Sequence, residues 1–318
     1  MKRLKSILLI SLSLIIGACA EGPSSEKQLA VQGLLSGDIT PNGSMGVIGS
    51  IHHGGSFWNL KKKERLFDWN HKKGALSAIR ASAISGDGKR AVTCVEDNMV
   101  LWNTSNGQYE KFWQAGARIE SITLNTDGSR ALMGLKDGTV SFFNMNSGAS
   151  IHDFKHAASV RSIGLSEDGK VGISGSDDKT AKIWDLREGK ELREIQLKNQ
   201  IKTVSISPSG KYAFTTAQRE DAVIWDVKKG KKLVKLQNRY TNYTTSSFSS
   251  DDKHLILGTF QGEIKRISVK SGKESHHWQA KPRKAFGGAS SKAIVALTEH
   301  KRKISALTSD GMLQIFKL

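Results

Sequence analysis

Three kinds of residue in this 318-residue chain could do chemistry: histidines in the pairs His52-His53 and His276-His277, Cys94 in the run RAVTCVE, and aspartates led by Asp178. Imidazoles hold metals and move protons, a thiolate is a nucleophile, and a carboxyl group can act as a general acid. Each needs a partner at the right spacing. Neighbouring residues of a strand point to opposite faces, so neither histidine pair offers two imidazoles to one ion, although a turn at His52-His53 would relax that argument. No G-x-S-x-G, H-E-x-x-H or glycine-rich phosphate loop is present. Asp178 shares its turn position with Asp137 and Asp310, and repetition at one place marks a structural residue. Cys94 reads as a buried free thiol behaving as a small hydrophobe. The sequence therefore suggests no catalytic residue, no cofactor and no metal site, and a non-enzymatic protein.

Composition narrows the classes further. Two cysteines exclude a disulfide scaffold and a cysteine-rich metal module. A hydrophobic fraction of 38% with seven tryptophans excludes a disordered chain, and the 31 glycines have no collagen period. The formal charge of +18 points to a polyanion, whether nucleic acid, a membrane surface or another polymer.

The positioning elements are repeats. The turn pairs Asn42-Gly43, Asp87-Gly88, Asp127-Gly128, Asp168-Gly169, Ser209-Gly210 and Asp251-Asp252 recur at intervals of 45, 40, 41, 41 and 42 residues. In phase with them run Trp58-Asn59, Trp102-Asn103, Phe143-Asn144, Trp184-Asp185 and Trp225-Asp226, with Ile267-Ser268 and Phe316-Lys317 as weaker continuations. Each unit holds short alternating runs, as in VRSIGLS, KVGISGS, TAKIWDL and ELREI, separated by Asp- and Gly-bearing gaps that suit tight hairpins. No segment keeps a 3.6-residue period. The body is expected to be all-β, built of four-stranded antiparallel meanders stacked radially.

These residues resemble the WD-repeat family, most fully where Ser174-Gly175-Ser176-Asp177-Asp178-Lys179-Thr180 leads into Ile183-Trp184-Asp185. The resemblance covers the chain after residue 30 and is weak in the first, sixth and seventh units. It implies a seven-bladed β-propeller that binds partner proteins, with His156, Ser174, Asp178 and Trp184 forming a hydrogen-bonded set inside one blade. Gln261 and Arg219 depart from the Asp position in the sixth and fifth units, and the family's Gly-His dipeptide is absent, so packing alone must hold most blades. The last unit has three strands, and the run 27–33 is expected to supply its fourth and close the ring. Residues 279–292 form an insertion before the last unit.

Ahead of the repeats, Lys2, Arg3 and Lys5 precede an uncharged apolar run, 6–17, whose twelve residues make a helix of only ~18 Å, too short to span a bilayer. Ile16-Gly17-Ala18-Cys19 resembles the bacterial lipobox, which implies cleavage before Cys19 and acylation of that cysteine. An ordinary leader cleaved near Ala18 or Ala20 is the other reading of the same residues. With Ala20 rather than Asp after the cysteine, the resemblance favours the periplasmic leaflet of the outer membrane in a Gram-negative cell. The organisation is then a lipoprotein signal peptide (1–18), a lipidated flexible linker (19–26) with a reach of roughly 25 Å, and a propeller (27–318). Removing the leader leaves +15.

The remaining charge sits in turns. Lys61, Lys62, Lys63, Arg187, Lys190, Lys228, Lys229, Lys231, Lys270 and Lys273 fall between third and fourth strands, and Lys301, Arg302 and Lys303 between first and second strands of the last unit. In the family these turns share one face, so the charge should form a basic sector on blades 1, 5, 6 and 7, facing anionic lipid or polymer or merely solvated. The opposite face carries Arg118, Lys155, Lys179, Arg219, Arg239, Tyr240, Tyr243, Lys281, Arg283, Lys284 and Phe286. Of these Arg239, Tyr240, Tyr243, Arg283 and Phe286 are the types enriched in binding hot spots. Two readings follow: a scaffold for other envelope proteins, and a binding module for an anionic envelope polymer or lipid surface. Nucleic acid is not expected, since no aromatic–basic stripe suggests base stacking.

Overall fold

In the computed structural model, residues 20–50, 54–71, 77–237, 240–284 and 291–318 are described. The leader, Cys19, His52-His53, Arg239 and Phe286 lie outside them. The described residues form 28 strands in seven four-stranded antiparallel sheets. Blade 1 is β2 (Leu34–Ile39), β3 (Met45–Ser50), β4 (Gly55–Asn59) and β5 (Glu64–Trp69). Blade 2 is β6 (Ala81–Ile84), β7 (Arg90–Val95), β8 (Asn98–Asn103) and β9 (Tyr109–Gln114). Blade 3 is β10 (Ile119–Leu124), β11 (Arg130–Leu135), β12 (Thr139–Asn144) and β13 (Ala149–Lys155). Blade 4 is β14 (Val160–Leu165), β15 (Val171–Ser176), β16 (Thr180–Asp185) and β17 (Lys190–Gln196). Blade 5 is β18 (Ile201–Ile206), β19 (Tyr212–Ala217), β20 (Ala222–Asp226) and β21 (Lys231–Leu236). Blade 6 is β22 (Tyr243–Phe248), β23 (His254–Thr259), β24 (Glu263–Ser268) and β25 (Glu274–Gln279). Blade 7 is β26 (Ile294–His300), β27 (Lys303–Thr308) and β28 (Met312–Lys317), completed by β1 (Ser25–Gln28). Within each blade the strands are a to d from the central channel outward.

Closure occurs, but earlier in the chain than the run 27–33. Ser25 pairs with Ile315 and Gln28 with Met312. Leu29 and Ala30 still donate to the Gly311 carbonyl, and Gly33 then takes a positive φ of 86° as the chain turns inward to blade 1. The expected free linker is also bonded. The Glu21 N–H donates to the His277 carbonyl, the Gln279 N–H to the Glu21 carbonyl, and the Ser24 N–H to the Ile315 carbonyl. The outer edges of two blades offered unpaired backbone groups, and this segment satisfies them.

Two contacts join neighbouring blades. The first is a glycine notch in strand b. A Cβ on Gly175 would lie 2.5 Å from Ile201 Cγ2, and one on Gly134 or Gly258 would lie 2.6 Å from a methyl of Val160 or the Cβ of Ile294. Each notch thus receives the first β-branched residue of the next blade. The second contact explains the recurrent aromatic. Trp102 and Trp184, on strands c, stack on Trp69 and Phe154 of the preceding strands d at 5.0 and 4.4 Å. The a–b turns repeat as well. Ser85, Ser166 and Ser249 donate to Asp87, Asp168 and Asp251 at 2.7–2.8 Å, and the serine oxygens accept the N–H five residues on.

Gly175→Val should overfill the notch, because Ile201 is rigid at Cβ and fully buried. We expect a loss of about 2–3 kcal/mol in urea unfolding, whereas Gly116→Ala, with nothing within 4 Å of its Cβ position, should cost less despite its positive φ.

Candidate functional site

Blade 4 carries the complete polar lock. His156 lies in the connection before β14, Ser174 on β15, Asp178 in the β15–β16 turn and Trp184 on β16. His156 Nδ1 is 2.9 Å from Asp178 Oδ2 and its Nε2 2.8 Å from Ser174 Oγ, which also accepts the Trp184 indole N–H at 2.8 Å. Asp178 accepts the N–H groups of Ala157 and Thr180 as well, at 2.9 and 2.8 Å. The four residues named from the sequence meet as one network. Its imidazole is fully buried and every strong acceptor is occupied, so the set tethers a turn to a core.

The lock survives in pieces elsewhere. In blade 2, His71 Nε2 lies 3.0 Å from Thr93 Oγ1, which also takes the Trp102 indole N–H at 2.8 Å. Sequence reasoning missed His71, though its place two residues after Trp69 matches that of His156 after Phe154. In blade 5 the indole bond from Trp225 to Thr215 remains, at 2.9 Å. Asp137 in blade 3 accepts from Thr139 and faces Lys155 at 3.6 Å. Asp310 in blade 7 accepts from Thr308 and from the Arg283 N–H at 2.7 Å.

The other chemical candidates are structural. Cys94 is 1% exposed, and burial pushes its thiol well up, so it is neither nucleophile nor thiolate ligand. His276 stacks on Trp278 at 5.3 Å, while His277 sits beside Glu263 and Glu274. No three His, Cys, Asp or Glu side chains converge on a metal-binding geometry among the described residues. The central channel, with a cavity of about 510 Å³, is walled by strands a and rich in serine and threonine. Three of the four carboxylates on its lining are committed, Glu167 being the fourth. Asp38 accepts the N–H groups of Ile39 and Ile84, and burial raises its pKa to about 6. Glu120 pairs with Arg118 and Arg161, and Glu299 with Arg266.

The a–b and c–d turns share one face of the ring, since the strands of each blade alternate in direction. Lys61, Lys62, Lys228, Lys229, Lys231, Lys270 and Lys273 are exposed there. Lys63 is half-buried, with Nζ on Ser25 Oγ. Blade 4 differs: its Arg187 and Lys190 pair with Asp185 and Glu188, which removes it from the basic sector.

The opposite face departs more from expectation. Tyr240 is 82% exposed. Tyr243, by contrast, is a core residue at 4%, its ring edge-on to Phe214, because it begins β22 with its side chain turned between blades. Arg283 does not project freely either. Its guanidinium donates to the carbonyls of Ala30 and Val31 beside the closing strand. Phe260, in the β23–β24 turn, is 55% exposed and was not singled out from the sequence. Its N–H donates to the carbonyl of Asn242, two residues from Tyr240, so the two aromatic turns are stitched together.

One family model matches the chain: WD domain, G-beta repeat, over residues 148–185, the segment that holds Asp178 and Trp184 and most of blade 4. No curated protein matches. With seven four-stranded blades in a ring, the chain is a β-propeller whose fourth blade matches the WD repeat, a fold consistent with a protein-interaction scaffold.

The lock ties blade 4 to pH. Burial holds His156 below its ordinary pKa against the pull of Asp178. Burial alone would raise Asp178, but bonds from Thr180, the Ala157 N–H and facing His156 outweigh it and hold it below the carboxylate range. An unfolded histidine takes up its proton from about pH 6.5 downward, where folded His156 resists it, so this contribution is lost on acidification. Asp178's contribution is lost in the same direction, below the ordinary carboxyl pKa of about 3.8. We expect His156→Gln to flatten part of the fall in stability between pH 6.5 and 5, and Asp178→Ala to cost about 2–3 kcal/mol at pH 7 by orphaning buried donors. Urea titrations across pH measure both.

Proposed function

We propose that this chain is an envelope lipoprotein whose propeller serves as a non-enzymatic scaffold for other envelope proteins. The carrying observation is the pair Tyr240 and Phe260, two exposed aromatic rings on neighbouring turns joined by the Phe260–Asn242 hydrogen bond. Exposed aromatics give a large contact area with little side-chain ordering, the usual make-up of a binding hot spot. Val31, 64% exposed, adds an apolar contact on the same face near the ring closure. The lipobox-like Ile16-Gly17-Ala18-Cys19 supports delivery to the outer membrane and acylation of Cys19.

A second reading, as a binding module for anionic lipid or polymer, is favoured by the c–d lysines that lack carboxylate partners among the described residues. The two readings use opposite faces and are compatible.

A photo-crosslinking residue at position 240 or 260 in the full chain, irradiated in the native envelope, should give one discrete protein adduct. Tyr240→Ala together with Phe260→Ala should reduce recovery of that partner at least tenfold without lowering the amount of the chain itself. Absence of an adduct at both positions, or the same adduct at equal yield from position 62 on the other face, contradicts the scaffold reading.

A further inference from the structure

We infer that the c–d-turn face of the ring lies against an anionic bilayer, with the acyl anchor of Cys19 emerging from within that face. This rests on the reading that Cys19 is acylated, and adds to it the orientation of the protein. The first observation is how little free chain separates the anchor from the ring. Glu21 is already hydrogen bonded to His277 and Gln279, and Ser24 to Ile315. From Cys19 to Glu21 the chain can stretch only about 7 Å, where eight unattached residues would have let either face approach the membrane.

The second observation is where the chain enters. Blade 7 has no continuous c–d turn, because its strand c is β28 and its strand d is β1. Residues 21–24 lead into β1 at the end of β28, so they occupy that turn's place. Lys63, from the c–d turn of blade 1, reaches Ser25 on one side, and His277 of blade 6 holds Glu21 on the other. The anchor therefore leaves the ring between the c–d turns of blades 6 and 1.

The third observation is charge. Lys61 and Lys62 on blade 1, Lys228 and Lys229 on blade 5, and Lys270 and Lys273 on blade 6 flank that exit. None of the six has an ion pair among the described residues, although surface lysines elsewhere on this face do: Lys89, Lys170 and Lys253 neutralise Asp87, Asp168 and Asp251 in the a–b turns nearer the axis. The a–b turns of blades 2, 4 and 6 are therefore balanced, whereas these six lysines, together with Lys301, Arg302 and Lys303 in the a–b turn of blade 7, leave the arc that holds the anchor cationic. Between blades 4 and 5 the arc also bears a depression of about 560 Å³, walled by Leu192, Tyr212 and Val227 and edged by Arg193, Lys211, Lys228 and Lys229 against the single carboxylate of Asp226. Apolar walls under a cationic rim suit a phospholipid headgroup at the level where its phosphate meets hydrocarbon. Separate turns at one level meet a plane better than they track a polymer strand, which favours a bilayer over an anionic chain.

The full-length protein, purified after export and reconstituted in vesicles of phosphatidylcholine with 30% phosphatidylglycerol, provides the test. Lys62→Cys, Lys229→Cys and Tyr240→Cys are labelled with an environment-sensitive fluorophore, Cys94 being too buried to react, and a spin-labelled headgroup lipid serves as quencher. Quenching at positions 62 and 229 should exceed that at 240 at least threefold. Equal quenching at all three sites, or stronger quenching at 240, overturns the orientation. Mass spectrometry of the N-terminal peptide separates the two claims: unacylated Cys19 overturns the anchor and the orientation together, while acylated Cys19 with reversed quenching overturns the orientation alone.

Discussion

The pairing of Ser25–Gln28 with Met312–Ile315 is the contact on which the rest of this molecule depends. Without it blade 7 has three strands, and the ring has an open edge where a foreign strand could pair. Its cost is the loop-closure entropy of bringing residues nearly 300 positions apart into register, which grows only slowly with length. It is offset by backbone hydrogen bonds running from Glu21 to Ala30. The same pairing decides where the chain's first described residues lie. It places them on the rim between blades 6 and 7, at the level of the c–d turns.

From blade to blade the ring is held by shape more than by polar bonding. The glycine notch of one blade takes a β-branched side chain of the next, and an aromatic of strand c leans on an aromatic of the preceding strand d. Among the described residues only blade 4 has the full His–Ser–Asp–Trp network. Blades 2 and 5 retain fragments, and blade 7 uses the Arg283 backbone N–H where blade 4 uses that of Ala157. The insertion before blade 7 is in this way drawn onto the closing seam, and its arginine serves the fold.

Features written in local chemistry were legible in the sequence. A tight hairpin turn is specified by a few neighbouring residues, so the recurrence of pairs such as Asp87-Gly88 and Asp168-Gly169 made the period legible, and the alternating runs between them the four strands of a blade. The lock of blade 4 was legible through the family resemblance. What depended on facing direction or on distant partners was not. Tyr243 looked like a turn residue, yet it is the first residue of β22 and its side chain points between blades. Arg283 meets carbonyls some 250 residues away. Phe260 stood in a turn without a motif. Residues 20–26 have the composition of a free linker, but two unsatisfied strand edges bind them, and no local signal announces that.

If the N-terminal segment belongs to the ring, its amides must be protected like those of a blade. Hydrogen exchange of the chain beginning at residue 19, read by NMR at Glu21, Ser24, Leu29 and Ala30, tests this most directly. The account predicts exchange at Ser24, Leu29 and Ala30 slowed at least a thousandfold relative to an unstructured peptide, with Glu21 also protected. Exchange at peptide rates across residues 21–30, with the blades intact, would contradict it.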